Sequence, residues 1–317
     1  MPMTGRLPEP VFPSQGLIGE LRQEAGARLR SILIGEESLA PSELANATDL
    51  GLFGPQSAIW HVHAESAMLI GGLRALLLQT LHPLAMAGVA DHSDYRDDPW
   101  GRLRRTSRFI GATTYGTTPT VERTIATVRR VHERVVGTAP DGRPYSANDP
   151  HLMLWVHVTE VDSFLRAVDR FGDLALSDER RDQYVADMAV IADRLGTESA
   201  PRTVVELDEC IASFRSECVV TDQAKEAIRF LVRPPVPLLF AGSYGLIVAA
   251  ALTLLPTWAR QELRIPLPPG FDRVAVRPSA STLMKLLAWL LREDSTLRSL
   301  TDPVTPGQRT GPSGGKH

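Results

Sequence analysis

Cysteine is scarce in this sequence, with only Cys210 and Cys218 among 317 residues. Their spacing matches neither a zinc knuckle nor a Cys-x-x-Cys redox pair. So few thiols are typical of a protein of the reducing cytoplasm, and we interpret both as buried apolar side chains. The opening residues have no charged segment followed by an apolar one, so we expect no secretory signal.

Several catalytic motifs are missing as well. No Gly-x-Gly-x-x-Gly segment and no Walker loop opens a helix, which excludes the usual phosphate cradles. The nucleophile elbow Gly-x-Ser-x-Gly is absent, and so is the zinc motif His-Glu-x-x-His. No histidine follows a glutamate by three residues, as di-iron bundles require, and Cys-x-x-Cys-His, the attachment site of covalent haem, does not occur.

The sequence has no large excess of one charge and only one long apolar run. Because the net charge is -3, we expect no nucleic-acid partner, which would need a positive field. The apolar run VPLLFAGSYGLIVAAALTLL, residues 236–255, has the length of about 20 residues that a bilayer requires. Pro237 and the two glycines Gly242 and Gly245 favour a buried core helix, with membrane association as the alternative.

Helical periodicity is what the sequence does contain. Apolar residues recur at the 3.6-residue spacing over long segments, whereas few segments alternate with period two. We therefore predict an all-α protein that forms a single large helical domain. The predicted helices span residues 17–34, 66–81, 99–114, 119–136, 149–171, 177–195, 203–217, 221–231, 236–254 and 279–292, with a turn-rich loop at 137–150 and a disordered tail at 304–317.

Two histidines lie on the apolar faces of predicted helices. Helical phase places His132 at the centre of the apolar stripe of residues 119–136, and His157 in that of residues 149–171. One interpretation is a pair of core histidines that are satisfied by hydrogen bonds. The other is axial ligation of haem, since two inward imidazoles on successive helices offer neutral nitrogen donors in an apolar setting.

The remaining internal histidines give weaker signals. His61 and His63 form a His-x-His pair that suits a metal ion, or they belong to a polar loop. His82 and His92 flank a short apolar segment. We interpret these two as pocket-edge or capping groups rather than as ligands.

The arginine-rich run DDPWGRLRRTSRF, residues 97–109, divides by helical phase. Arg104 and Arg108 project away from the apolar face and are typical of a solvated surface. Arg102 and Thr106 lie one turn apart at the border of that face. A guanidinium there pairs either with a structural carboxylate or with an anionic group of a bound ligand.

Several segments resemble, in order and content, the MpaB-type oxygenases. This family, formerly a domain of unknown function, includes the latex-clearing rubber oxygenases. Its signature is an Arg-x-x-x-Thr pair followed by a histidine in a VRxxH helix, which corresponds here to Arg102, Thr106 and His132. The segments are RALLLQTLHP (74–83), ADHSDYRDDPWGRLRRT (90–106), VRRVHERVVG (128–137), DGRPYSANDPHLMLWVHVTEVDS (141–163) and LPTWAR (255–260).

The resemblance implies an all-helical catalytic domain over residues 51–265 with a buried pocket for haem b. A helical extension at 1–50 would precede it, and a C-terminal helix within 266–303 would follow. His132 would be the iron ligand with His157 as the alternate, while Arg102 and Thr106 would line the haem pocket as catalytic groups.

The resemblance further implies that dioxygen is the co-substrate. The reaction would be oxidative C=C cleavage of an apolar unsaturated substrate, either isoprenoid or lipid-like. One alternative is a non-catalytic haem-binding or haem-sensing protein. Another is a helical lipid-binding or membrane-associated protein whose histidines are structural.

Three departures from the family pattern qualify this picture. A lysine that can take the sixth iron position in rubber oxygenases corresponds to Arg105, whose guanidinium does not ligate iron. The glutamate that acts as base in those enzymes has no counterpart in residues 86–98, where Asp91, His92 and Asp94 are the candidates. Because there is no twin-arginine signal either, we expect a cytoplasmic protein, with peripheral membrane association as the alternative.

Overall fold

A computed structural model describes residues 22–27, 49–235 and 238–291. These residues are helical almost throughout, which confirms the predicted all-α class. Residues 22–27 are helical, and the rest of the predicted helix 17–34 and the tail at 304–317 lie outside the described ranges. The larger elements are α1 (Ala58–His63), α2 (Met68–Gln79), α3 (Pro83–His92), α4 (Pro99–Tyr115), α5 (Thr118–His132), β1 (Val136–Thr138), β2 (Pro144–Ser146), α6 (Pro150–Phe171), α7 (Asp178–Leu195), α8 (Val204–Ser213) with a 3₁₀ turn (Phe214–Glu217), α9 (Asp222–Val232), α10 (Leu238–Leu254), α11 (Thr257–Glu262), a π-helical turn (Asp272–Val276) and α12 (Arg277–Leu291).

One predicted helix end is wrong. Helix α5 ends at His132 rather than at Val136, and the chain enters a small hairpin in which β1 pairs antiparallel with β2. The predicted turn-rich loop therefore contains two short strands. Gly142, at a φ of 88°, makes the left-handed turn between them that other residues rarely adopt.

Helix α6 forms the centre of the core and is buried on more than one face. Helix α2 packs along it, and α7, α8, α10 and α12 also contact it. At Gly71 in α2 an added Cβ would come within 2.8 Å of the Phe164 ring and 2.9 Å of the Ser163 carbonyl oxygen. Only glycine permits this close approach of α2 and α6.

Only the second half of helix α10 packs in the core, as the buried-helix prediction expected, whereas Phe240, Ala241, Gly242 and Gly245 in its first half are exposed. Val248, Ala250 and Ala251 are buried in the main core, and α10 packs against α2 and α12. Within the described ranges, no single helix is long and apolar enough to cross a membrane. The joined pair α2 and α3 meets those criteria of length and composition, with a bend of 107° between the two helices.

Helices α4 and α5 form an antiparallel hairpin that determines where the predicted site residues lie. The Asp49 carboxylate holds its turn, accepting hydrogen bonds from the backbone N–H and the hydroxyl of Thr118, both at 2.9 Å. Arg102 and His132 each lie about 20 Å from this turn at 1.5 Å per residue. The hairpin therefore brings the first turns of α4 beside the last turn of α5.

Candidate functional site

A cavity of about 2950 Å³ lies among α2, α4, α5, α6, α10 and α12. Most of its lining is apolar. All four residues singled out from the sequence line it, although they come from three different helices: Arg102 and Thr106 from α4, His132 from α5, and His157 from α6. The structure thus brings the predicted site residues to one cavity.

His132 and His157 both lack hydrogen-bond partners among the described residues. The Nδ1 atom of His132 and the Nε2 atom of His157 are buried and unpaired. Burial lowers the pKa of His132 and lowers that of His157 to about 4. Both imidazoles are therefore neutral near pH 7 and offer free nitrogen lone pairs, which is the state a metal ligand requires. Neither nitrogen makes, among the described residues, the hydrogen bond that the interpretation as core histidines requires.

His132 is less enclosed than its helical phase suggested. It is the last residue of α5 and is half-buried, and only Val121 and Ile125 of that helix are buried. His157 lies in the middle of α6 and is 8% exposed. The difference arises because one side of α5 borders the cavity instead of packing against another helix.

Arg102 carries a charge that no described carboxylate neutralises. It is half-buried at the cavity wall, and burial lowers its pKa. A guanidinium nevertheless stays protonated. The neighbouring Arg105 is 61% exposed and instead contacts Asp98 at 3.4 Å. Thr106, one turn after Arg102, exposes a hydroxyl that has no hydrogen-bond partner within the described ranges.

The prediction that Arg104 and Arg108 face solvent is correct for only one of them. Arg108 is exposed, as predicted, but Arg104 is half-buried. Both border the cavity. Helical phase assumes one buried and one solvated side, whereas the first half of α4 packs against little protein and borders the cavity over much of its surface.

Three further residues line the cavity, although the sequence did not predict that they would. Glu160 has no ion-pair or hydrogen-bond partner among the described side chains, and burial raises its pKa to about 7. The buried Tyr95 hydroxyl also has no hydrogen-bond partner in the part of the chain that the structure describes. His63 contacts the Thr114 hydroxyl at 2.7 Å through Nδ1, and desolvation lowers its pKa to about 3.

The signals for these residues were weak or misleading. Glu160 lies outside the apolar arc of its helix, where helical periodicity predicts a solvated side chain. His63 was one half of the His-x-His pair, but it lies in helix α1 rather than in a loop. A metal site shared with His61 is not formed, since His63 instead bonds to Thr114 and Tyr184.

The structure agrees with the prediction for His92 but not with those for Asp91 and Asp94. The His92 Nε2 atom contacts the Tyr145 hydroxyl at 3.1 Å, and His92 lines the cavity as the pocket-edge interpretation proposed. The Tyr145 hydroxyl donates to Asp91 at 2.6 Å. Asp91 and Asp94, the two acidic candidates for a base, are exposed and do not line the cavity.

Comparison with known proteins gives one match. Residues 60–292 match the family model described as ER-bound oxygenase mpaB/B'/Rubber oxygenase, catalytic domain. The chain belongs to this oxygenase family. No curated protein and no solved structure matches it significantly.

The family match includes α2, α4, α5, α6, α10 and α12, whereas Glu24 and Ala25, which also line the cavity, precede it. It begins at Trp60 in α1 and ends one residue after α12. The chain therefore contains an oxygenase-family catalytic domain. Arg102, Thr106 and His132, the residues that the resemblance assigns to the family signature, line its cavity.

Proposed function

We propose that this protein is a haem b-dependent oxygenase that cleaves a C=C bond of an apolar unsaturated substrate, isoprenoid or lipid-like. The observation that carries the proposal is the pair of buried, unpartnered imidazole nitrogens in an apolar cavity. A buried polar atom without a partner is costly, and it is retained where a ligand completes it. Membership of an oxygenase family supports the same conclusion.

His132 is proposed as the axial ligand, with His157 as the alternate. Burial keeps both imidazoles neutral, and neither is committed to another hydrogen bond among the described residues. The signature position favours His132. Bound haem would supply dioxygen activation, a reaction that no protein side chain performs by itself.

Arg102 and Thr106 are proposed to orient the cofactor and its co-substrate dioxygen. A half-buried guanidinium with no carboxylate partner is suited to an anionic group such as a haem propionate. The free hydroxyl of Thr106 is suited to donate a hydrogen bond to a polar atom in the cavity. We propose no iron-ligating role for Arg105, since its guanidinium is not a ligand.

The size and lining of the cavity support a long apolar substrate. A typical small-ligand pocket has a volume of about 300–1,000 Å³, whereas this cavity has about 2950 Å³. It therefore has room for a planar cofactor and an extended hydrocarbon chain together. Apolar side chains such as Leu73, Leu76 and Phe164 would align the chain and exclude water.

The visible absorption spectrum of the full chain, purified from haem-supplied cells, tests the cofactor. We expect a Soret band and haem that acid-acetone extracts, because the cofactor is not covalently bound. His132→Ala should abolish the Soret band, while His157→Ala should only weaken it. His61→Ala, a histidine that does not line the cavity, is the matched control and should leave the spectrum unchanged.

Other results would change the ligand assignment or overturn the proposal. Loss of the Soret band in His157→Ala but not in His132→Ala would transfer the ligand role to His157. Wild-type protein without any Soret band would overturn the haem proposal. Haem-loaded protein that consumes dioxygen with an unsaturated isoprenoid, but not with its saturated analogue, would establish turnover, whereas a stable six-coordinate haem without turnover would indicate a haem-binding protein.

A further inference from the structure

A second group of potential ligands lies outside the cavity. His82 is at the break between α2 and α3, His151 is in the first turn of α6, and Glu217 ends the 3₁₀ turn after α8. None of the three lines the cavity. They are 69 and 66 residues apart along the chain, which is why no motif in the sequence joins them.

The donor atoms of these residues converge on one point. The Nε2 atom of His82 is 3.3 Å from Oε2 of Glu217, and the Nε2 atom of His151 is 2.9 Å from Oε1 and 3.0 Å from Oε2 of the same carboxylate. One donor atom from each residue lies within 4.8 Å of the others. Zinc bonds to histidine are about 2.0–2.1 Å, so ligands at the corners of a tetrahedron are about 3.3 Å apart. The two distances to the Glu217 carboxylate, 3.3 Å from His82 and 2.9 Å from His151, are therefore close to the spacing that one zinc ion imposes.

The surrounding structure holds these side chains in place before any ion binds. His82 is 1% exposed and packs near the rings of Trp155 and Phe214. The His151 ring stacks on Phe214 at 4.4 Å between centroids. A backbone hydrogen bond of 2.8 Å from Val219 to Leu81 joins the segment after Glu217 to the residue before His82.

The site is open on one side. His151 is 53% exposed and Glu217 is 35% exposed, so a water molecule has access to a fourth coordination position. Arg143 is a cation close enough to affect both His82 and Glu217 electrostatically, but it forms an ion pair with Asp141 at 2.7 Å. Asp141 therefore offsets part of the charge of Arg143.

We propose that His82, His151 and Glu217 bind a single Zn²⁺ ion. Two imidazoles, one carboxylate and one water form a donor set that zinc accepts. The same set also suits non-haem iron, but none of the three residues lines the cavity that would hold a substrate beside it. The ion has a structural role: it ties the start of α6, the helix that carries His157 and Glu160, to the α2–α3 junction.

Calorimetric titration of the full-length, chelator-treated chain with zinc tests the site. We expect one Zn²⁺ per chain, and a cobalt-substituted sample should show the visible absorption bands of a tetrahedral ion. His151→Ala and Glu217→Gln should each reduce the stoichiometry to zero. Both residues are partly exposed, so these variants should fold.

His132→Ala is the control for adventitious binding in the cavity. It should keep the single zinc ion, because His132 belongs to the other site. Zinc should also raise the Tm of the wild-type chain but not that of His151→Ala. An unchanged zinc stoichiometry in both His151→Ala and Glu217→Gln, or no binding by the wild type, would overturn the proposal.

Discussion

At the scale of single residues, Glu160 links the stability of the protein to pH. Its carboxyl group titrates near pH 7 in the folded chain because burial disfavours the charged form, against an ordinary pKa of 4.5. Stability from such a group is fully present below pH 4.5 and is lost as the pH rises to about 7. Well above pH 7 the carboxylate is ionised in both the folded and the unfolded chain, and the contribution of Glu160 to stability is lost completely.

Glu160→Gln should therefore change the pH dependence of stability. Between pH 5 and pH 8 the free energy of unfolding of the wild-type chain should fall by on the order of 2 kcal/mol more than that of the variant. This value is smaller than full burial would give, because the cavity admits solvent. Urea unfolding at a series of pH values measures the difference. Glu122→Gln, on the exposed side of α5, is the control and should follow the wild type. Parallel curves for the wild type and Glu160→Gln would contradict the assignment.

Glu160 also shows what sequence reasoning missed at this scale. Periodicity separates one apolar arc from one polar arc, and it assigns charged residues to solvent. On α6 the polar arc is also covered: Asp162 is 4% exposed, and Glu160 borders the cavity. His157 was found because it lies in the apolar arc, whereas Glu160 was missed because periodicity carries no information about a second covered face.

At the scale of helices, a buried ion pair fastens α2 to α6. Arg74 is 1% exposed, and its guanidinium donates to Asp162 at 2.7 Å and to the Ser163 hydroxyl at 2.6 Å. It also donates to the Leu254 carbonyl oxygen at 2.9 Å, which brings the end of α10 into the same contact. One side chain thus satisfies polar groups on two other helices.

Arg74→Met should destabilise the fold by about 3–5 kcal/mol, because it leaves the Asp162 carboxylate buried with only Arg166 as a partner. Chemical denaturation measures the change. The double variant Arg74→Met, Asp162→Leu should recover most of the loss, since no buried charge remains. Arg96→Ala breaks an exposed pair with Glu226 and should cost no more than about 1 kcal/mol. Equal losses in Arg74→Met and Arg96→Ala would refute this role of Arg74.

The helices themselves were largely predictable from the sequence, but the contacts between them were not. The proline at the start of α4 and the serine before α7 placed those helix starts within a residue. The packing of α2 on α6 depends on Gly71 and on a lone arginine in an apolar helix, features whose partners are about 90 residues away in the sequence. Local pattern does not specify such pairings, because they depend on the tertiary arrangement.

At the scale of the whole molecule, burial is unevenly distributed around the cavity. More than half of the residues of α6 are buried, while α4 buries only Gly101, Ala112, Thr113 and Thr114. Helices with few buried contacts open more easily than those in the core. The wall formed by α4 and α5 is therefore the weaker side of the fold.

Hydrogen–deuterium exchange of the haem-free chain should show this difference. Amides of α4 and α5 should exchange much faster than those of α6, and haemin should slow exchange in α4 and α5 specifically, because a ligand stabilises the state it binds. Helix α8, which packs on α6 but contributes no residue to the cavity lining, is the internal control and should not respond. Uniform protection by haemin across all helices would argue against binding in the cavity.

The two unpaired imidazoles described above have a consequence for how the sequence can evolve. A chain selected for stability alone would replace His157 with an apolar residue of similar volume, since that change removes a buried nitrogen without a partner. Natural proteins lie just above the stability they need, and they concentrate such compromises where activity requires them. Stabilising substitutions at His132 and His157 should therefore be easy to find in a screen for thermal resistance and rare in a screen for oxygenase activity.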